Sequence, residues 1–365
     1  METNIRRILY PFGVIVLIPL LAACSGAGQT ASPAPVTETR ALVETLENTA
    51  TPIPPTNTST HTPSPVPDTN TPGSSPTPSQ TSPPTSTPTA TAIPPYETLV
   101  ELFDYDRTQP LDLVVEAEEV RDGITIQSVK YYGANHPAYQ KPLRVTAYLV
   151  LPPGDGPYPA ILYLHAGGMS KDQYLDEAIF LAKQNVVCLL IDGPLSSTRS
   201  ARLDPFDWQK VREYYIRTVV DVRRGFDLLE SLPQVDPNEL AYVGHSYGAT
   251  WAGVIAGVET RIKAYVIMAG YAQVSENDTP QVPELDAIRY IGHAAPAAYL
   301  FQFAEHDAFI DEDEAWLYFN TANEPKTILW YDTDHFGLQY AGQADRLTWL
   351  SEQLGFTLEG LPPQP

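Results

Sequence analysis

Six short runs of almost unbroken apolar residues constrain this chain most: AILYL (160–164), VVCLLI (186–191), LAYV (240–243), AYVIM (264–268), AAYLFQF (297–303) and TILWY (327–331). A strand with one wet face alternates apolar and polar residues, whereas a strand covered on both faces does not. The runs therefore suit the interior of a parallel sheet. Parallel neighbours need crossover connections, and the intervening segments supply helical patterns. In WQKVREYYIRTVVDVRRGFDLLESL, Val211, Tyr215, Val219, Val222, Phe226 and Leu229 recur every three or four residues, and Leu347, Leu350 and Leu354 do the same near the end. Two earlier runs, ITIQSVKYY (124–132) and LRVTAYLVL (143–151), alternate and fit an antiparallel edge. The expected architecture is an α/β three-layer sandwich with a mostly parallel sheet of about eight strands, in one domain over 96–365.

Before that domain the composition changes. Most of the 36 prolines of this 365-residue chain precede residue 96, crowded among Thr and Ser. Segment 25–95 has too few large apolar groups to offset chain entropy, which predicts a solvated, partly polyproline-II tether. Ahead of it, METNIRRILYPFGVIVLIPLLAAC places two arginines, an apolar run from Ile8 to Leu21 and small residues before Cys24. This is the order of a secretory signal, and the run is short for a membrane span. Leu21-Ala22-Ala23-Cys24 resembles the lipobox of bacterial lipoproteins. That resemblance implies cleavage of 1–24, lipid on the Cys24 sulfur, and an exported, membrane-anchored protein with its folded part extracytoplasmic. Each buried methylene of such a lipid adds about 0.8 kcal/mol to anchoring. The formal charge of −22 argues against nucleic acid as a partner, because an acidic body repels phosphate. The second cysteine, Cys188, sits in VVCLLI and is expected to pack as a small hydrophobe, so no disulfide framework is available.

The stretch LAYVGHSYGATWAG (240–253) runs a strand into a helix with Ser246 between Gly244 and Gly248. So sharp a turn crowds its neighbours, and the glycines remove side chains that would collide, lifting a hydroxyl above the sheet edge. The helix start favours developing negative charge, and the amide of Tyr247 is expected to form half of an oxyanion hole. The second amide is expected from His165-Ala166-Gly167-Gly168 after an earlier strand, with Ala166 and Gly167 not separable by sequence.

A hydroxyl is a poor nucleophile near neutral pH and needs a base and an orienting acid. AEHDAFI follows the carboxyl end of AAYLFQF and supplies Asp307, with Glu305, Asp332 and Asp334 as rivals. His335, in DTDHFG, follows the last strand. Of the other six histidines, His61 lies in the tether, His136 in an early loop, His293 before a strand and His306 beside the acid, while His165 and His245 flank motif positions that favour structural roles. Asp334 adjoins His335 and is expected to cap or brace its loop. Met169, Trp208, Trp251, Tyr271, Phe309 and Phe336 are candidates to line a pocket. The machinery requires no metal and no cofactor.

With these pieces placed, residues from about Arg121 to Leu354 resemble an α/β-hydrolase, most of all the dienelactone hydrolase-related and prolyl-oligopeptidase-related esterases. The resemblance rests on HAGG, GHSYG, the acid after LFQFAEHD and the histidine of YDTDHF, in family order. It implies a serine-dependent hydrolase cleaving a small-molecule or polymer-borne carboxylic ester through an acyl-enzyme. Two departures stand out. Dienelactone hydrolases proper use a cysteine where this chain has Ser246, and prolyl oligopeptidases carry a β-propeller for which no segment of sufficient length precedes this domain. A peptidase or amidase is the first alternative, and a non-catalytic surface binding module the second.

Overall fold

A computed structural model describes residues 93–362 apart from 140–142, 200–206, 278, 280 and 295. Its nine strands are β1 (Val114–Arg121), β2 (Ile124–Tyr132), β3 (Arg144–Leu151), β4 (Tyr158–Leu164), β5 (Val187–Ile191), β6 (Val235–His245), β7 (Ala264–Met268), β8 (Ala298–Ala304) and β9 (Lys326–Tyr331). They form one sheet in the order β1-β2-β3-β5-β4-β6-β7-β8-β9. Strands β4 to β9 are mutually parallel, and β3 runs antiparallel to β5. The helices are α1 (Tyr96–Leu99), α2 (Leu175–Ala182), α3 (Trp208–Ser231), α4 (Tyr247–Val258), α5 (Val274–Asn277), α6 (Glu312–Thr321), α7 (Leu338–Ala341) and α8 (Gln343–Leu354). The leader, Cys24, His61 and the Pro/Thr/Ser-rich segment up to residue 92 lie outside the described residues.

Every residue of β5, β7 and β8 is buried, as their apolar runs require. Neighbouring residues of β4 show both covered faces. The Leu162 side chain packs at Gly225 of α3, while the Tyr163 hydroxyl donates to Glu177 of α2 at 3.1 Å. The chain leaves β4 through α2 on one face and reaches β6 through α3 on the other. The order of the strands thus reverses at β4, and in open α/β sheets the crevice for a ligand lies at such a point, beyond the carboxyl ends of the strands, here β4 and β6. Strand β9 departs from expectation. TILWY reads as fully covered, yet β9 is the sheet's edge and five of its six residues are only half-buried.

Strand β1 is the addition to the expected eight. All eight of its residues are exposed, and Glu116, Glu118, Glu119 and Arg121 leave it no apolar face by which periodicity could reveal it. Pairing creates it. β1 lies antiparallel to β2, joined through Asp122 and Gly123, both left-handed at φ 51° and 83°. Asp-Gly in that conformation is the preferred two-residue hairpin turn.

A buried ion pair joins α2 to α8. Glu177 accepts from Arg346 Nε at 3.0 Å, from Gln343 Nε2 at 2.9 Å and from the Tyr163 hydroxyl, and Arg346 Nη2 reaches the same carboxylate. Arg346 Nη2 also donates to the Gln339 carbonyl at 2.6 Å. The charge is compensated from several directions, the condition for tolerating it in a core. Since Gln339 lies in α7, the pair also fixes the loop that carries His335.

Candidate active site

Strand β6 ends at His245 and α4 begins at Tyr247, so Ser246 alone makes the connection. Its φ of 52° and ψ of −108° form a conformation that costs a non-glycine residue about 1–3 kcal/mol. The surroundings enforce it. Ser246 N–H donates to Met268 of β7 at 2.8 Å, Gly248 N–H donates to His165 O, and Thr250 N–H closes the first helical bond onto Ser246 O at 2.8 Å. A Cβ on Gly248 would strike the Leu164 carbonyl oxygen, and one on Gly244 would lie 2.5 Å from the Gly248 backbone. The Ser246 side chain is left half-buried at the crevice.

Across it, His335 Nδ1 lies 2.8 Å from Asp307 Oδ2 and 3.0 Å from Oδ1, with both side chains almost fully buried. A carboxylate accepts, so Nδ1 carries the proton and the Nε2 lone pair is the basic edge. Asp307 Oδ1 also accepts from Phe309 N–H at 2.8 Å and Ile310 N–H at 3.0 Å, which pins the acid to its own loop. Two of the rival acids are engaged elsewhere. Asp332 pairs with His306 at 2.8 Å on the surface, and Asp334 Oδ1 accepts from Gly337 N–H at 2.7 Å, bracing the histidine loop. Glu305, His306 and Asp332 each bring one possible ligand atom within 4.8 Å of the others, but all three are exposed.

His245 joins the two halves. Its Nε2 faces the His335 carbonyl at 3.0 Å and so must donate, while Nδ1 accepts from the Tyr174 hydroxyl at 2.9 Å and from Gln173 Nε2 at 3.1 Å. The residue beside Ser246 therefore holds the backbone of His335, with the two rings 5.5 Å apart. Among the described residues the Ser246 hydroxyl makes no hydrogen bond to the His335 imidazole. Such contacts are commonly long before substrate binds.

Tyr247 stands first in α4, with its side chain buried and its hydroxyl against Thr218. Ala166 and Gly167 differ in engagement. Ala166 N–H donates to Gln173 Oε1 at 2.8 Å, whereas Gly167 N–H has no hydrogen bond among the described residues. His165 is a brace, donating from Nδ1 to Ala166 O at 2.7 Å and accepting from Gly193 N–H at Nε2 at 3.0 Å. Of the pocket candidates, Trp251 is wholly buried, 4.5 Å from the Tyr215 ring, and belongs to the core. Met169, Trp208, Phe309 and Phe336 are exposed.

The histidine braces predict a pH response. Burial foremost lowers the pKa of His165 to about 4 and of His245 to about 3. The unfolded chain takes up protons at these sites below about pH 6.5, while the folded chain does not. Their stabilisation is therefore complete above that pH and is lost as the pH falls toward 4 and then 3. Urea unfolding at pH 5 against pH 7 should show a loss of about 2 kcal/mol for each histidine, and an unchanged midpoint would contradict the assignment.

No protein-family model matches the sequence. Acetyl xylan esterase 1 from a Thermoanaerobacterium species superposes with a TM-score of 0.60 at 12% identity, covering 71% of this chain and 95% of that one. An acetyl xylan esterase from Paenibacillus sp. R4 gives 0.56 at 18% identity, covering 71% and 93%. The chain has the α/β-hydrolase fold. Within this hydrolase fold Ser246 occupies the turn between strand and helix, and Asp307 and His335 follow later strands. Sequence similarity reaches Esterase FrsA of Salmonella paratyphi B, 24% identical over 50% of each chain, so the chain spans about half the length of the curated relatives it matches.

Gln173 is the site residue that sequence reasoning missed. It accepts the Ala166 amide, donates to His245 and to Gln339 Oε1 at 3.2 Å, and its own carbonyl accepts from Gln339 Nε2 at 2.8 Å. Its partners at 245 and 339 are 72 and 166 residues away, so local pattern carries no trace of the role.

Proposed function

We propose that this protein is a serine-dependent carboxylic ester hydrolase working through an acyl-enzyme. The observation that carries the reading is the buried Asp307–His335 pair, held by His245 directly beside the strained Ser246. Ser246 Oγ attacks the ester carbonyl carbon while His335 Nε2 takes its proton, and Asp307 stabilises the imidazolium so formed. The oxyanion is received by the amides of Tyr247 and Gly167, the latter chosen because Gln173 already occupies Ala166. Collapse breaks the bond to the alcohol oxygen, which leaves with the proton from Nε2. Water then repeats the sequence on the acyl group and restores the serine. Esterase FrsA and the acetyl xylan esterases, by their names, support an ester substrate, small or polymer-borne.

We further propose that the enzyme is exported and tethered to a membrane by lipid at Cys24, which would present it to extracytoplasmic esters. The test of the catalytic reading offers the protein a short-chain p-nitrophenyl ester, the matching anilide and a fluorophosphonate. Ester turnover and covalent labelling of Ser246 are expected. Preferential anilide cleavage would indicate a peptidase or amidase, and neither turnover nor labelling a binding module.

A further inference from the structure

We infer that Phe309 and Phe336 form a corner that seats the alcohol portion of the ester, so that the protein selects substrates by a flat-ring alcohol without negative charge rather than by acyl length. The inference rests on the catalytic reading above. His335 must protonate the departing oxygen, so whatever is bonded to that oxygen lies against the side chains flanking the imidazole. Those side chains are the two phenylalanines. Their ring centres lie 4.7 Å and 5.1 Å from that of His335. The two rings are 6.2 Å apart and inclined at 79°, and each is 52% exposed. An aromatic ring entering such a corner stacks, offset, on one phenylalanine and meets the other edge to face, the two geometries that aromatic pairs favour. The carbonyl oxygen instead points toward the amides after β4 and β6, and the acyl group leaves the attacked carbon in a third direction, away from the imidazole. Met169 is the exposed apolar side chain of the glycine-rich loop after β4.

Charge narrows the class. Glu305, Asp311, Asp332 and Asp334 are exposed on the loops that carry the corner or adjoin them, and His306 is already paired with Asp332. An anionic alcohol portion would be repelled there, whereas an aryl alcohol without negative charge would cover apolar surface now facing water.

The test compares wild type with Phe309→Ala and Phe336→Ala on two substrate series. One holds the acetyl group and varies the alcohol from methanol to phenol to 2-naphthol, and the other holds methanol and lengthens the acyl chain. Comparison of variant with wild type on each ester cancels intrinsic leaving-group reactivity. The expected result is a fall in kcat/KM of about tenfold per ring on the aryl acetates, with the methyl esters within about twofold of wild type. Equal falls in both series would overturn the inference, because the rings would then merely support His335. Falls that grow with acyl length, or no change, would overturn it too. In each of these cases the catalytic reading survives, since wild type still turns over. A wild type that hydrolyses no ester and is not labelled at Ser246 would overturn both.

Discussion

Ser246→Ala should abolish ester turnover, lowering kcat by at least about a thousandfold and toward the millionfold seen when a serine nucleophile is lost elsewhere. The size follows from the chemistry. Without Oγ no acyl-enzyme forms, and the surviving oxyanion donors can assist only direct attack by water. The fold should be unaffected or slightly more stable, because the replaced atom makes no hydrogen bond to the His335 imidazole and the φ of 52° at this position persists. Initial rates on a p-nitrophenyl ester, with unfolding midpoints for both proteins, check the result. Comparable rates would remove Ser246 from the mechanism.

Asp307→Asn should cost about ten-thousandfold in kcat, although it changes one atom and little shape. The neighbouring amides decide how the new side chain sits. Phe309 N–H and Ile310 N–H both donate to Oδ1, so that position must stay an acceptor and the asparagine oxygen takes it. The amide nitrogen then falls at the Oδ2 position, 2.8 Å from His335 Nδ1, and donates to it. Nδ1 becomes an acceptor, the ring proton moves to Nε2, and the edge facing the serine can no longer take a proton. KM should change little. Activity close to wild type would show that another carboxylate orients the ring.

The strands of this sheet were legible where burial shapes composition. For β2 and β7 the alternating and the apolar run coincide with both ends of the element, since a single covered face places apolar residues at about every second position, as in β2, and two covered faces exclude polar residues throughout, as in β7. The periodic burial of α3, from Val211 through Leu229, follows for the same reason. Strand β1 was hidden because it buries nothing and exists through backbone pairing, although Asp122-Gly123 was a usable turn signal. The positions of Ser246, Asp307 and His335 after the ends of β6, β8 and β9 were legible, because local sequence records where a strand stops. The links that join them could not be read. Tyr174 and Gln173 reach His245, and Gln339 reaches Gln173, only after the chain has closed on itself.

The close approach of Gly244 and Gly248 to their surroundings has a further consequence. With no side chain between them, the turn that carries the serine, the end of β4 and the start of α4 touch backbone to backbone. They can shift only as one block together with the middle of the sheet. If Ser246 attacks as proposed, accommodation of differently shaped molecules must therefore come from the loops bearing residues 307–310 and 332–337, which makes them the natural ground for evolving new preferences while the serine stays put.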